Sequence, residues 1–228
     1  SYNQANQLTG QVNGAITTAF TYSAGGAIAR KTTGLDTTSY AYNGLDKLTG
    51  VVMPGTTVNY SYDALGRRIS RSEGGATRNS HFSAKTDLAD YETDQAGVLT
   101  ASMLRGTDGL ISETDYSGAL TTSYNLYNSH GDTSAQSDQN GAVTGSYRYD
   151  SFGNPISGSP PENGYTGKWQ REKDSSTGTI GMGVREYDPT IGRFVSVDPL
   201  RGPDTDPQQR NRYTYTSNNP LIRYDLSG

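Results

Sequence analysis

The chain has no cysteine, which excludes disulfide staples and thiolate metal sites while leaving the compartment open. Its two histidines, His81 and His130, are far apart, so neither a His-based metal cluster nor a Ser-His-Asp arrangement can be assembled from local sequence. His130 lies two residues from Asp132 and reads first as a hydrogen-bonded structural histidine. Hydrophobic residues are scarce at 32%, which argues against one thick dry core. No apolar run approaches the length of a membrane span. The net charge is −4 and the basic residues are scattered, so no track for a polyanion forms and nucleic acid is not an expected partner. No secretory leader is present: the text opens inside a repeat at Ser1-Tyr2-Asn3-Gln4, so any export signal is expected elsewhere in a longer parent chain. The glycine-rich run from Gly178 to Gly183 lacks the following helix and Lys of a phosphate loop, and no cofactor is expected.

What the chain does have is tyrosine and glycine. There are 17 Tyr against 4 Phe and 1 Trp, and 28 Gly. Tyr joins an apolar ring to a polar tip and suits a half-wet sheet surface. Tyr2, Tyr22, Tyr42 and Tyr62 recur at a strict spacing of 20 residues, with echoes at Tyr147-Arg148-Tyr149-Asp150 and Tyr213-Thr214-Tyr215. A Tyr-x-Tyr step places both rings on one face of a strand. Between the repeats stand Asn13-Gly14, Gly25-Gly26, Asn43-Gly44, Gly74-Gly75, Asp108-Gly109, Asn140-Gly141 and Asn163-Gly164. Such dipeptides favour two-residue hairpin turns, so a 20-residue unit accommodates one hairpin and its connection. Stacked hairpins would bring equivalent Tyr rings into register across neighbouring strands, each pair contributing about 0.2–1 kcal/mol. No sustained helical stripe is present; Asp87-Leu88-Ala89-Asp90-Tyr91 is the one short candidate turn of helix. The pattern predicts an all-β chain of roughly ten to fourteen strands, and periodicity alone leaves a sandwich or propeller open. A loop around Ser157-Gly158-Ser159-Pro160-Pro161, followed by text richer in Arg, Asp and Pro, divides the chain into segments 1–155 and 156–228.

That second segment carries two long motifs. One is Arg185-Glu186-Tyr187-Asp188-Pro189-Thr190-Ile191-Gly192-Arg193-Phe194-Val195-Ser196-Val197-Asp198-Pro199. The other is Tyr213-Thr214-Tyr215-Thr216-Ser217-Asn218-Asn219-Pro220, leading to Asp225-Leu226-Ser227-Gly228. Together they resemble the Rhs-repeat-associated core domain. Upstream, Asn128-Ser129-His130-Gly131-Asp132 and Tyr149-Asp150-Ser151-Phe152-Gly153-Asn154-Pro155 resemble the stretch that precedes that core, and the 20-residue units resemble YD repeats.

The resemblance implies an antiparallel β-hairpin wall, part of a spiralling YD-repeat shell, with a C-terminal core or plug. Such shells enclose and deliver a C-terminal toxin, which implies a secreted or cell-surface bacterial protein. The implied partners are the toxin cargo and further YD repeats of the parent chain, with edge-to-edge self-association where strand edges stay unpaired. In many relatives the core cuts its own chain just after an Asp-x-x-Gly-Leu sequence. By position in the motif, that self-cleavage falls on Arg185, Asp198 and Asp225. Paired carboxylates suit it chemically: an ionised one activates water while a protonated one polarises the scissile carbonyl, and an Arg can orient the pair. The competing structural reading is that Asp188, Asp198 and Asp206 each precede Pro, a common turn opening. Trp169 reads as a packing anchor where plug meets wall. Trp169, Tyr187, Tyr213 and Tyr215 are also candidates for stacking on a cell-surface glycan, as an adhesion module would require.

Overall fold

The structure, a computed structural model, describes residues 1–200, 210–225 and 227–228. Fourteen strands run as a single antiparallel meander in which each pairs with its chain neighbours. They are β1 (Gly10–Asn13), β2 (Ile16–Tyr22), β3 (Ile28–Thr33), β4 (Asp36–Tyr42), β5 (Leu48–Met53), β6 (Thr56–Tyr62) and β7 (Arg68–Glu73), then β8 (Ala76–His81), β9 (Tyr91–Asp94), β10 (Leu99–Gly106), β11 (Gly109–Asp115), β12 (Thr121–Tyr127), β13 (Thr133–Ser137) and β14 (Val143–Ser146). The sheet is open, with β1 and β14 at its edges. A two-stranded hairpin follows, β15 (Arg148–Tyr149) with β16 (Pro155–Ser157). A three-stranded one comes next: β17 (Ile180–Met182), β18 (Arg185–Asp188) and β19 (Arg193–Phe194). The chain beyond β16 folds back across one face of the large sheet. It touches β3 through the Ile28 N–H, which donates to the Val195 carbonyl, and β13 through Thr133, whose N–H donates to the Gly164 carbonyl. The all-β hairpin wall with a returning C-terminal segment is thus the architecture the repeats predict.

The 20-residue period has a mechanical origin. Tyr22, Tyr42 and Tyr62 end β2, β4 and β6, and each pairs with the residue six positions on: Ile28, Leu48 and Arg68. Tyr2 and Leu8 form the same bridge. The hydroxyl of each Tyr then donates to the carbonyl of the residue paired with the preceding Tyr: Tyr22 to Leu8 O (2.9 Å), Tyr42 to Ile28 O (3.0 Å) and Tyr62 to Leu48 O (2.7 Å). The tyrosines therefore sit on alternate strands and are tied through hydroxyl and backbone. The expected ring-on-ring ladder across neighbouring strands is not what forms, because an intervening strand separates successive rings.

The turns also differ from expectation at one sheet margin. Gly74-Gly75 is a two-residue turn between the paired residues Glu73 and Ala76. At the opposite margin, Asn43-Gly44 is not a two-residue turn but opens a five-residue loop. The Asn43 Oδ1 accepts the N–H groups of Leu45 (3.0 Å) and Lys47 (3.1 Å), and the positive φ moves to Asp46. Asp63 makes the same two bonds, to Leu65 and Arg67, with Gly66 at the positive-φ position. A short Asx side chain directly after Tyr42 and Tyr62 closes this loop, and after Tyr22 the Ser23 Oγ takes that place by accepting the Ala27 N–H (3.2 Å). A β-bulge recurs opposite the step into Tyr22, Tyr42 and Tyr62, with Ala29, Thr49 and Ile69 as the extra residues on β3, β5 and β7. Residues 87–91 form no helix: the Asp90 N–H donates to the His81 carbonyl across the sheet, and its carboxylate holds Ser83 and Arg105. Strand pairing thus takes the donor that a helix would need.

Within β6, Val58, Tyr60 and Tyr62 face inward while Thr57, Asn59 and Ser61 are exposed. Three small apolar clusters replace one core. Leu8, Phe20, Ile28 and Val195 form one, Leu48, Val51, Val58 and Tyr60 a second, and Tyr165, Ile180, Met182, Tyr187, Phe194 and Tyr215 a third inside the returning segment. Removing one tie by Tyr62→Phe leaves the Leu48 carbonyl without this donor. It should cost about 1 kcal/mol, lowering the thermal midpoint by roughly 2–4 °C in calorimetry. Ser61→Ala, on the outward face, should leave the midpoint unchanged.

Candidate functional site

The returning segment meets the wall through ion pairs of consistent polarity. Wall residues Lys31, Arg68, Arg71 and Arg78 reach acids of the segment: Lys31 to Asp188 (2.9 Å), Arg68 to Glu172 (3.2 Å) and Glu186 (3.6 Å), Arg71 to Asp174 (2.6 Å), and Arg78 to Glu162 (2.6 Å) and Glu172. One pair is reversed, Arg171 to Asp87 at 2.5 Å. Asp174 is the most completely enclosed of these acids, at 1% exposure. Its carboxylate accepts the Tyr60 hydroxyl (2.7 Å), two Arg71 bonds and the N–H groups of Ser176 and Thr177. Burial pushes its pKa up, but these donors, led by Arg71, outweigh burial and hold the carboxyl well below the usual carboxylate range. Glu186 goes the other way: burial raises it, and Arg68 only partly compensates. A cavity of about 90 Å³ lies in this seam beside Arg68, Arg78, Arg171, Glu92, Glu172 and Glu186.

The three residues assigned from the motif converge on one nitrogen. Arg185 opens β18, and its Nη2 lies 3.0 Å from Asp198 Oδ2 and 3.8 Å from Asp225 Oδ2. Its guanidinium stacks 3.7 Å from the Phe194 ring centre, and Nη1 donates to the Arg212 carbonyl (3.0 Å). Burial lowers the Arg185 pKa, with Asp198 and Asp225 opposing that shift. Arg212 was not legible as a site residue, yet it holds Asp198 from both sides. The Asp198 N–H donates to the Arg212 carbonyl (3.0 Å), while Arg212 Nε donates to the Asp198 carbonyl (2.8 Å). Its only sequence signal is a cation directly before the Tyr213-Thr214-Tyr215 motif. Asp225 Oδ1 accepts the N–H groups of Ser227 (3.1 Å) and Gly228 (2.9 Å). The arrangement is two carboxylates bridged by one buried guanidinium, beside Ser227 and Gly228.

Other candidates fall elsewhere. Trp169 ends a 3-10 turn (Gly167–Trp169) and its ring lies 4.4 Å from that of Tyr224 and against Gly131 of the wall. Tyr187 and Tyr215 pack against each other inside the third cluster at 0% exposure, and Tyr213 is 4% exposed with its hydroxyl on the Gly26 carbonyl (2.7 Å). Burial leaves none of these three rings a face for a sugar. His130 is hydrogen-bonded to Asp132 (2.9 Å) and approaches the Arg223 carbonyl (3.3 Å). Among the described residues, no group of three or more acidic or His side chains is placed to hold a metal ion. Asp206 lies outside the described residues.

The teneurin YD-shell family profile matches residues 1–221. The tRNA3(Ser)-specific nuclease WapA of Bacillus spizizenii is 32% identical over 167 residues, which is 72% of this chain but 7% of that protein. The tRNA nuclease WapA of Bacillus subtilis strain 168 is 32% identical over 166 residues, again 72% of this chain and 7% of the relative. The chain therefore spans a small fraction of the curated relatives it matches. The crystal structure of TcdB2-TccC3 shares the fold, with a TM-score of 0.64 at 17% identity, covering 93% of this chain and 14% of that one.

Asp174 sets a pH dependence for the seam. Because its folded pKa is depressed, its contribution to stability is fully present above the unfolded value, above about pH 5, and is lost as pH falls through the folded value. Asp174→Asn weakens the bonds from Tyr60, Arg71 and the turn N–H groups while Arg71 keeps Glu73 (2.8 Å), and it should cost about 1–3 kcal/mol near neutral pH. Denaturant titrations should show the difference between the two proteins constant from about pH 5 to 8 and shrinking at lower pH.

Proposed function

Because this chain belongs to the teneurin YD-shell family, we propose that it builds wall and plug of a larger β-shell that encloses a toxic C-terminal cargo. The observation that carries this reading is the open 14-stranded sheet with a separately cored segment laid along one face. Both edge strands can extend the wall by further pairing with repeats of the parent chain. On this reading residues 1–155 are wall, 156–228 are plug, and the whole acts outside the producing cell or at its surface. The relatives named as tRNA nucleases are far longer than this chain. That supports a toxic activity residing in sequence outside the 228 residues, not in the wall.

A second reading is favoured by one observation, the convergence of Arg185, Asp198 and Asp225. In it the plug cuts the parent chain downstream of Gly228. One carboxylate takes a proton from water, and the resulting hydroxide adds to the scissile carbonyl while the other, protonated, carboxyl donates to that oxygen. The C–N bond then breaks, and the proton passes to the departing amine. Arg185 holds the two carboxylates on the same side of the tail.

Both readings are tested in the parent chain. The cargo should survive added protease until the shell is unfolded; its rapid digestion in the native protein would remove the enclosure reading. Asp198→Asn and Asp225→Asn should each slow self-cleavage by about 100-fold or more, measured by gel over time. Undiminished cleavage in both would remove these residues from the mechanism.

A further inference from the structure

The turn between β17 and β18 has an occupant. Met182 and Arg185 pair across this hairpin, so Gly183 and Val184 form a two-residue turn. The turn's outward N–H, that of Val184, donates to the carbonyl of Ser227 at 2.8 Å. The tail is folded onto it by Asp225, whose Oδ1 gathers the N–H groups of Ser227 and Gly228 into a tight hook. The same carboxylate's other oxygen faces Arg185. One side chain therefore shapes the tail and joins the paired-carboxylate cluster.

The fit is by backbone, and it is close. A Cβ on Gly183 would stand 2.6 Å from the Ser227 carbonyl oxygen and 2.9 Å from its carbon. A Cβ on Gly228 would collide with the Met182 carbonyl and come within 2.8 Å of the Arg185 nitrogen. Neither obstacle is the movable end of a side chain: both are backbone atoms of a hydrogen-bonded turn or of its docked partner. Ser227, in contrast, is exposed.

We propose that the turn at residues 182–185 is a docking cradle for the tail at Ser227 and Gly228, with Gly183 as a positioning and specificity-determining residue. The cradle accepts a tail whose residue three after the Asp has no side chain, and it rejects others by collision with backbone. This rests on the self-cleavage reading for its consequence, since docking presents the bond region after Gly228 to Arg185 and Asp198. The docking itself stands on geometry alone.

The experiment has two arms. In the parent chain, Gly228→Ala and Gly183→Asn should each reduce self-cleavage by about 100-fold, the scale of a misplaced reacting bond. Asn is chosen because it tolerates the positive φ of 72° at Gly183 while adding a Cβ. Gly228→Ala lies in the docked tail and leaves the hairpin untouched, so it decides the matter if Gly183→Asn unfolds. Ser61→Ala, on the exposed face of β6 and away from the cluster, should cut within about twofold of wild type. In the second arm, amide exchange at Val184 is followed in the 1–228 chain and in one ending at residue 224. Loss of the tail should speed exchange by about tenfold. Wild-type cleavage by both glycine variants, or a Val184 amide indifferent to the tail, overturns the proposal. If the wild-type parent never cuts, the self-cleavage reading fails, and the exchange arm still decides whether the cradle holds the tail.

Discussion

The hydrogen bond from a tyrosine hydroxyl to a backbone carbonyl on the neighbouring strand governs the wall. A tyrosine's reach is fixed, so the carbonyl it takes must lie at one register position. The residue that owns that carbonyl is the partner of the preceding tyrosine. Each unit is thereby located by the unit before it, and the period can be neither 19 nor 21 without losing the bond or turning the ring to the other face. The Asx side chain after the tyrosine serves the same end by closing the loop that returns the chain. Tyr and Asp or Asn adjacent to one another are two halves of one device.

Such a wall does not require a thick core, and it has none. Its apolar clusters are small and separated, and between them the returning segment is held by guanidinium and carboxylate groups. Desolvating those groups is costly, so the seam is stable where each charge finds several partners, as Asp174 does, and less so where one remains underpaired, as at Glu186. A seam of this kind specifies register strongly, since sliding the returning segment along the wall would strand buried charges. The same feature gives the Arg185 cluster a fixed seat: β18 carries Glu186 and Asp188 to the wall and Arg185 to the carboxylates within four residues.

Much of this was readable from residue order. The 20-residue spacing of Tyr2, Tyr22, Tyr42 and Tyr62 located the hairpins because a period that strict has few physical causes. The motif resemblance brought Arg185, Asp198 and Asp225 into consideration, and the fold brings them within 4 Å of one nitrogen. Other features were hidden for identifiable reasons. Asn43-Gly44 looks like a two-residue turn locally, and only the strand register shows that the loop is longer. Arg212 meets Asp198 through that residue's backbone N–H and carbonyl and not its carboxylate, so no pairing of side chains in the sequence points to it. Asp87 to Tyr91 has helix-like composition, but the Asp90 N–H is claimed by His81 of the preceding strand β8, a pairing that local composition does not show. The burial of Tyr187 and Tyr215 follows from the returning segment's own core, and that of Tyr213 from its seat against Gly26 and Tyr22 of the wall; periodicity reveals neither.

The bulge on β3, β5 and β7, opposite the step into Tyr22, Tyr42 and Tyr62, carries a consequence for shape. A bulge bends its strand and increases its twist, and here it falls at the same height in three successive units. Equal bends at equal heights add, so curvature is a property of the unit and not of the sheet as a whole. Inserting whole units lengthens the spiral at constant radius, whereas inserting half a unit would move the bend to the opposite rim and break the line of curvature.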